Sequence, residues 1–302
     1  MYYYIVDKTK IKSRNIERLY NAISSRIAKL NISGEFAETS PIRDIPRVVE
    51  LGLEKQITTM IIIGIDQSFY KALQMLADKD IVIGFIPLSK DSKIAKILGI
   101  EDPFSACDTI AARKTEEVDL GKANDKFFFS SLAIGFGNNL FKEVGSFFNI
   151  KGTLATISRG LTYKSFPVVF ECDDSFKIET SCFSASIINC PKENILKTPP
   201  LNLQEGFDKT QNILSPKDGY LNLLIIPNLT KRQRIKFSNI ILKGELEKFP
   251  PIFSLFKAKK IAINTRKPKP VFADGIKIGK TPLEVKIADE KLRVVVGKNR
   301  SF

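Results

Sequence analysis

The residues Ile61-Ile62-Ile63-Gly64-Ile65-Asp66-Gln67-Ser68 decide how the first half of this chain is read. The isoleucine run is β-branched, apolar on both faces and closed by a glycine, which marks a strand buried on both sides. The next residues, Gln67–Ala77, put Phe69, Leu73 and Leu76 on one helical face. A second stretch repeats the pattern: Ile81–Leu88 is a buried strand, and Ser89-Lys90-Asp91-Ser92-Lys93-Ile94-Ala95-Lys96-Ile97-Leu98-Gly99-Ile100 turns into a helix. Where a strand passes into a helix, backbone N–H groups are exposed and can hold an anion.

Working outward, Tyr2–Val6 and Gly34–Thr39 read as strands, while Arg14–Leu30 and Ile45–Lys55 read as helices. Residues 1 to about 126 thus alternate strand and helix, as a doubly wound α/β domain does. Beyond Lys126 the rhythm changes. Phe127–Phe136, Phe166–Glu171, Phe176–Glu179, Phe183–Asn189, Tyr220–Ile226, Lys260–Asn264, Val271–Phe272 and Glu284–Ile287 are short strands separated by turn residues. Helices are expected at Lys231–Lys243 and before Arg159, and a mobile loop at Pro191–Gln211. The fold class expected is α/β plus β: a nucleotide-binding-like domain over 1–126 with a returning segment at 289–302, and an antiparallel, sandwich-like domain over 127–288.

The two loops resemble the phosphate-handling loops of the diacylglycerol kinase and sphingosine kinase catalytic-domain family, in its bacterial soluble lipid-kinase form. That family carries Gly-Gly-Asp-Gly-Thr after its strand, then Pro-Leu-Gly-Thr-Gly-Asn-Asp-Phe-Ala-Arg and a Leu-Gly-Ile tail. Gly64, Asp66 and the hydroxyl of Ser68 match the first motif, whereas Ile65 and Gln67 replace glycines. Pro87, Leu88, Ala95 and Leu98-Gly99-Ile100 match the second, with Lys96 for the Arg and Ser89 to Lys93 in place of Gly-Thr-Gly-Asn-Asp. The likeness continues through Val118-Asp119-Leu120-Gly121, Ala133-Ile134-Gly135-Phe136, Asp218-Gly219-Tyr220-Leu221-Asn222-Leu223 and Asp274-Gly275-Ile276. It implies the two-domain lipid-kinase fold, ATP and Mg²⁺ as cofactors of an active member, and a lipid alcohol as substrate.

The resemblance also locates the candidate site: Gly64, Asp66, Ser68, Lys90 and Lys93 for the nucleotide, Asp218 for the metal, and Asp274 as the remaining acid near the hydroxyl. Each residue has a plainer reading. Asp66 suits a helix N-cap. Lys90, Lys93 and Lys96 either bring charge to a phosphate or form the polar face of a helix whose apolar side is Ile94, Ile97 and Leu98; the surface face is favoured. Asp274-Gly275 is also a hairpin turn signal, and the turn is preferred. The losses are chemical. Ile65 bars close approach and would be strained at positive φ, Asn222 removes a carboxylate from the metal segment, and Ile276 stands where the family has its proton-accepting Glu. Losing a general base costs roughly 10²–10⁴ in rate. The leading expectation is impaired or lost phosphotransfer, with anionic lipid or nucleotide still bound; the alternatives are an active lipid kinase and an interaction module.

Charge supplies the remaining expectations. The chain has 302 residues, no histidine and a net charge of +14. Serine–histidine catalysis and histidine-containing zinc sites are therefore excluded. From Asn228 to Phe302 there are 19 Lys/Arg against 6 Asp/Glu, so the excess sits in the last quarter. Such a surface is either simply solvated or drawn to an anionic membrane, and no nucleic-acid-binding motif accompanies it. Phe249–Phe256, beside Lys257–Lys260, reads either as a bilayer-inserting segment or as a buried loop leading into a strand. Four scattered cysteines, with no segment near the roughly 20 apolar residues of a membrane span, suggest a cytoplasmic protein, peripheral at the inner membrane face if the basic surface is drawn to lipid rather than simply solvated.

Overall fold

The structure is a computed structural model; it describes residues 1–11, 13–136, 158–191, 202–203, 214–243 and 252–302. It divides into two compact units, Met1–Leu120 with Asp289–Phe302, and Gly121–Ala288.

The first unit is wound as the sequence predicts. Its strands and helices run β1 (Tyr2–Val6), α1 (Arg14–Lys29), β2 (Gly34–Glu38), α2 (Ile45–Leu53), β3 (Thr59–Gly64), α3 (Asp66–Leu76), β4 (Val82–Pro87), α4 (Lys93–Ile97) and α5 (Pro103–Ala112). Ser13 and Asp44 cap α1 and α2 by accepting from the amides of Ile16 and Arg47. β1 pairs in parallel with β2 on one side and β3 on the other, and β3 pairs with β4. α1 packs with α5, and α2 with α3. The isoleucine run Ile61 to Ile63 is fully buried, which is why it shows no amphipathic alternation. α5 was not expected from the sequence; its start is set by the Asp102 carboxylate accepting from the Phe104 and Ser105 amides.

The second unit is built on β5 (Thr115–Ala123, begun in the first unit), β6 (Lys126–Phe128), β7 (Ser131–Gly135), β8 (Phe166–Cys172), β9 (Phe176–Ile188), β10 (Asn202–Leu203), β11 (Leu221–Pro227), α6 (Lys231–Lys243), β12 (Ser254–Ala258), β13 (Lys260–Thr265), β14 (Pro270–Ala273), β15 (Ile276–Lys280) and the first half of β16 (Leu283–Val295). β7, β8, β9, β11, β13, β14 and β15 pair antiparallel with their neighbours, as do β5 with β6, β11 with β12 and β13 with β16, while the short β10–β12 pair is parallel. The sequence splits β9 into Phe176–Glu179 and Phe183–Asn189; it is one strand of 13 residues. Polar Thr180 and Ser181 between the two apolar runs are carried by the ladder with β8, in register with Val168 and Pro167. Gly135 has φ +91°, and a Cβ there would stand 2.7 Å from the Phe183 carbonyl oxygen.

Three expectations need correction or placement. Phe253 and Leu255 are buried while Ile252 is 40% exposed, so the described part of the 249–256 segment leads into β12 with its first residue on the surface. The 191–211 loop and the helix before Arg159 fall largely outside the described residues, although 158–162 is helical. The end of β16 pairs in parallel with β4, Arg293 with Val82 and Val294 with Ile83, which joins the last segment to the first unit's sheet. The four cysteines are buried and form no disulfide with one another. Burial pushes the Cys107 and Cys172 thiols up to about 11 and about 12, so neither is a thiolate nucleophile near neutrality.

Candidate functional site

In the first unit the parallel order β2-β1-β3-β4 reverses direction between β1 and β3. Ligands of open α/β sheets bind beyond the carboxyl ends of the strands at such a point. Four residues mark those ends here: Thr39 after β2, Asp7 after β1, Gly64 closing β3, and Leu88 after β4, whose amide donates to the Gly64 carbonyl at 2.7 Å.

Gly64 and Ser68 come together as the spacing suggests, but around a partner the sequence reading missed. The Ser68 hydroxyl donates to Asp7 Oδ2 at 2.6 Å and accepts from the Ile65 amide at 3.2 Å. Asp7 Oδ1 accepts from Thr9 Oγ1 at 2.6 Å and from Thr39 Oγ1 at 3.4 Å. Ser68 and Asp7 are 1% and 4% exposed, so this cluster is an internal clamp and not an open rim. Gly64 is there for room: a Cβ would stand 2.6 Å from Ser68 Oγ and 3.3 Å from Asp7 Cβ. The available signal for Asp7 was a single acid directly after the apolar strand Tyr3–Val6.

Asp66 does not cap its own helix. It is the first residue of α3, and its carboxylate reaches 26 residues along the chain. Oδ1 accepts from the Ser92 hydroxyl at 2.5 Å, and Oδ2 from the Lys93 amide at 2.8 Å. Ser92 in turn is the N-cap of α4, accepting from the Ala95 amide at 3.0 Å. Burial pushes the Asp66 carboxyl above the usual carboxylate range, while the Ser92 and Lys93 hydrogen bonds and the Lys93 charge pull it back without winning. Ile65, expected to be strained, has φ −106° and ψ 171°, ordinary extended backbone. Lys90 and Lys96 are exposed and Lys93 is half-buried, while Ile94, Ala95, Ile97 and Leu98 are buried.

The loop chemistry follows from these bonds. An anion cradle needs free amides. Here the Ile65 amide is taken by Ser68, the Lys93 amide by Asp66 and the Ala95 amide by Ser92. Three loop amides are thus already committed to side chains of the protein itself, while Lys90, Lys93 and Lys96 bring positive charge to the same loops.

The remaining candidates lie in the second unit. Asp274, at φ 49°, accepts from the amides of Phe129, Ser130 and Ser131 at 2.6, 2.9 and 2.9 Å, and its own amide donates to the Ser131 carbonyl. Its carboxylate organises the turn from β6 to β7, beside the hairpin of β14 and β15. Ile276 opens β15. Asp218 accepts from the Tyr220 amide at 3.0 Å and forms an ion pair with Lys257 at 2.7 Å. Asn222 is fully buried on β11, its amide donating to the Ile188 carbonyl at 3.4 Å. One carboxylate already neutralised by an ammonium, with a neutral amide nearby, does not fit Mg²⁺, which is bound through carboxylate, phosphate and water oxygens. Among the described residues no cluster of three Cys, Asp or Glu side chains is arranged to hold a metal.

No family model matches the chain. A diacylglycerol kinase of Staphylococcus epidermidis is 24% identical over 270 residues, covering 86% of this chain and 81% of that protein. An uncharacterized protein of Synechocystis is 25% identical over 225 residues, and there the match spans 72% of this chain and 50% of the relative. Among solved structures, a diacylglycerol kinase from Bacillus anthracis superposes with a TM-score of 0.71 at 16% identity, covering 99% of this chain and 97% of that one. The fold is that of the two-domain α/β lipid kinases. Along its sequence the chain is similar to diacylglycerol kinases and putative lipid kinases, at 23% to 24% identity, and it shares the fold of the bacterial diacylglycerol kinases.

Proposed function

We propose that this chain is a lipid-kinase homologue whose phosphotransfer is impaired or lost because its own side chains close the phosphate loops. The observation that carries the reading is the Asp66 carboxylate bound to the Ser92 hydroxyl and the Lys93 amide. It joins the two loops and uses the donors that phosphate oxygens would need. Phosphoryl transfer asks a protein chiefly for positioning and charge stabilisation. An acid held between the loops opposes both. The missing proton acceptor at Ile276 and the structural duty of Asp274 point the same way.

Thermal shift with ATP and Mg²⁺ tests it. A nucleotide at about a hundredfold excess over its Kd adds about 2.7 kcal/mol of stability, which moves a domain of this size by several degrees. The expected shift at about 5 mM ATP is under about 1 °C. A shift of several degrees, abolished by Asp66→Ala, would overturn the reading.

The second reading is a working ATP- and Mg²⁺-dependent kinase of a diacylglycerol-like or sphingoid alcohol, favoured by the relatives that carry the name diacylglycerol kinase. The cation would then arrive with the nucleotide phosphates, and Lys90 and Lys93 would replace the lost amides. Turnover of radiolabelled ATP with a mixed lipid extract distinguishes the two.

As partner we propose an anionic membrane surface, met by the exposed Lys231, Arg232, Ile235 and Lys236 of α6. No helix among the described residues is long and apolar enough to cross a membrane, so attachment would be peripheral.

A further inference from the structure

β12 carries Lys257 to a position directly opposite Asn222 of β11 in the antiparallel ladder. Residues opposite one another in such a pair point to the same face of the sheet. The ammonium of Lys257 lies 2.7 Å from Asp218 Oδ2, where the chain turns into β11. The other oxygen of Asp218 accepts from the Tyr220 amide at 3.0 Å. The Tyr220 ring has two ammonium groups beside it, Lys257 at 5.2 Å and Lys259 at 5.1 Å from its centre. The Lys257 and Asp218 side chains are 28% and 23% exposed, so the pair is largely shielded from water.

Three features of this turn agree. The carboxylate at 218 is neutralised by a covalently tethered cation. The residue opposite that cation, Asn222, is neutral and fully buried, with its Oδ1 unpartnered among the described residues. A second lysine brings further positive charge to the same ring. A divalent ion would have to take the carboxylate from Lys257 and then sit beside two ammonium groups.

We infer that the ammonium of Lys257 takes the place a divalent cation would need at the Asp218 turn, so that this turn is organised by an internal lysine and not by a metal. A tethered ammonium supplies one charge and three N–H donors at no cost in binding concentration, and the neutral Asn222 opposite it adds no carboxylate for a second cation. The inference deepens the reading of a retired phosphotransferase but is read out without turnover, so each can fail separately.

The test is Mn²⁺ binding to the full chain without nucleotide, followed by the electron paramagnetic resonance of the free ion. Wild type and Asp218→Asn are expected to take up the same amount of Mn²⁺. The double variant Lys257→Met/Asn222→Asp is expected to gain one site, at least about tenfold tighter than anything in wild type, and to lose it again when Asp218→Asn is added. Mn²⁺ uptake by wild type that Asp218→Asn removes would overturn the inference, and this comparison does not depend on the double variant folding. A double variant that retains its circular dichroism and gains no site would overturn it equally.

Discussion

The carboxylate of Asp66 and the hydroxyl of Ser92 meet at 2.5 Å, joining the start of the helix after β3 to the start of the helix after β4. This contact turns two separate strand-to-helix loops, those after β3 and β4, into one internally bonded structure beside the switch point of the sheet. It also gives a buried acid whose proton is held more tightly than in the unfolded chain.

The first expected outcome concerns that acid. Asp66→Ala leaves the Ser92 hydroxyl and the Lys93 amide without their acceptor and should cost about 1–3 kcal/mol in urea unfolding. The pH dependence has a definite sign. Because the folded pKa lies above the ordinary value of 3.8, the native state binds more protons in the interval between them. The contribution of Asp66 is therefore fully present below the unfolded value and is lost as pH rises through the folded one. Comparing wild type with Asp66→Asn across that interval should show the wild type losing stability relative to the variant as pH rises. A constant difference would argue against the buried-acid assignment.

Gly64→Ala tests the clamp with Asp7 and Ser68. The added methyl lies 2.6 Å from Ser68 Oγ and 2.8 Å from Ser68 Cβ. Overpacking of this kind costs about 1–3 kcal/mol. Removing the obstructing side chain as well, in Gly64→Ala/Ser68→Gly, should give a total loss smaller than the sum of the two single changes. Strict additivity in a double-mutant cycle would mean that the two positions do not meet as described.

Asp274 separates a structural acid from a catalytic one. Asp274→Ala strips the acceptor from three backbone amides and should lower stability by about 1–3 kcal/mol. Asp274→Asn keeps an acceptor and tolerates the left-handed backbone at φ 49°, so its loss should be smaller. A catalytic acid would behave differently: Asp274→Asn would abolish any residual turnover while leaving the melting temperature unchanged.

The basic helix is tested on vesicles. Replacing exposed Lys231, Arg232 and Lys236 by glutamine removes three charges worth about 1 kcal/mol each at an anionic surface, or about a hundredfold in partitioning. Flotation with phosphatidylserine vesicles at low salt should fall by that order, and wild-type flotation should fade at high salt. If wild type stays at the bottom of the gradient even at low salt, α6 is a solvated surface.

Much of this was visible in the chain before folding. The run Ile61–Ile63 followed by Gly64 and the Phe69, Leu73, Leu76 face define a buried strand and its covering helix, because periodicity and β-branching report burial locally. The order of motif remnants carried the family, and the Asn222 and Ile276 substitutions were plain at the level of chemistry. α5, β5, β10 and β15 have no counterpart among the sequence expectations, and the expected strand Phe127–Phe136 is two, β6 and β7. The halves of β9 were kept apart because Thr180 and Ser181 interrupt the apolar pattern, although a cross-strand ladder tolerates them.

What the residues determined by themselves was the alternation of elements, the change to antiparallel strands after Lys126 and the departures from the glycine and carboxylate motifs the chain resembles. These depend on neighbours within a few positions. What folding alone decided was the partnership of side chains far apart in the chain: Ser68 with Asp7, Asp66 with Ser92, Asp274 with the amides of 129–131, and Lys257 with Asp218. The reason is geometric. Strand register and the switch point bring loops together across dozens of residues, and a hydrogen bond exists only where donor and acceptor come within about 3 Å, a distance that spacing along a chain does not encode.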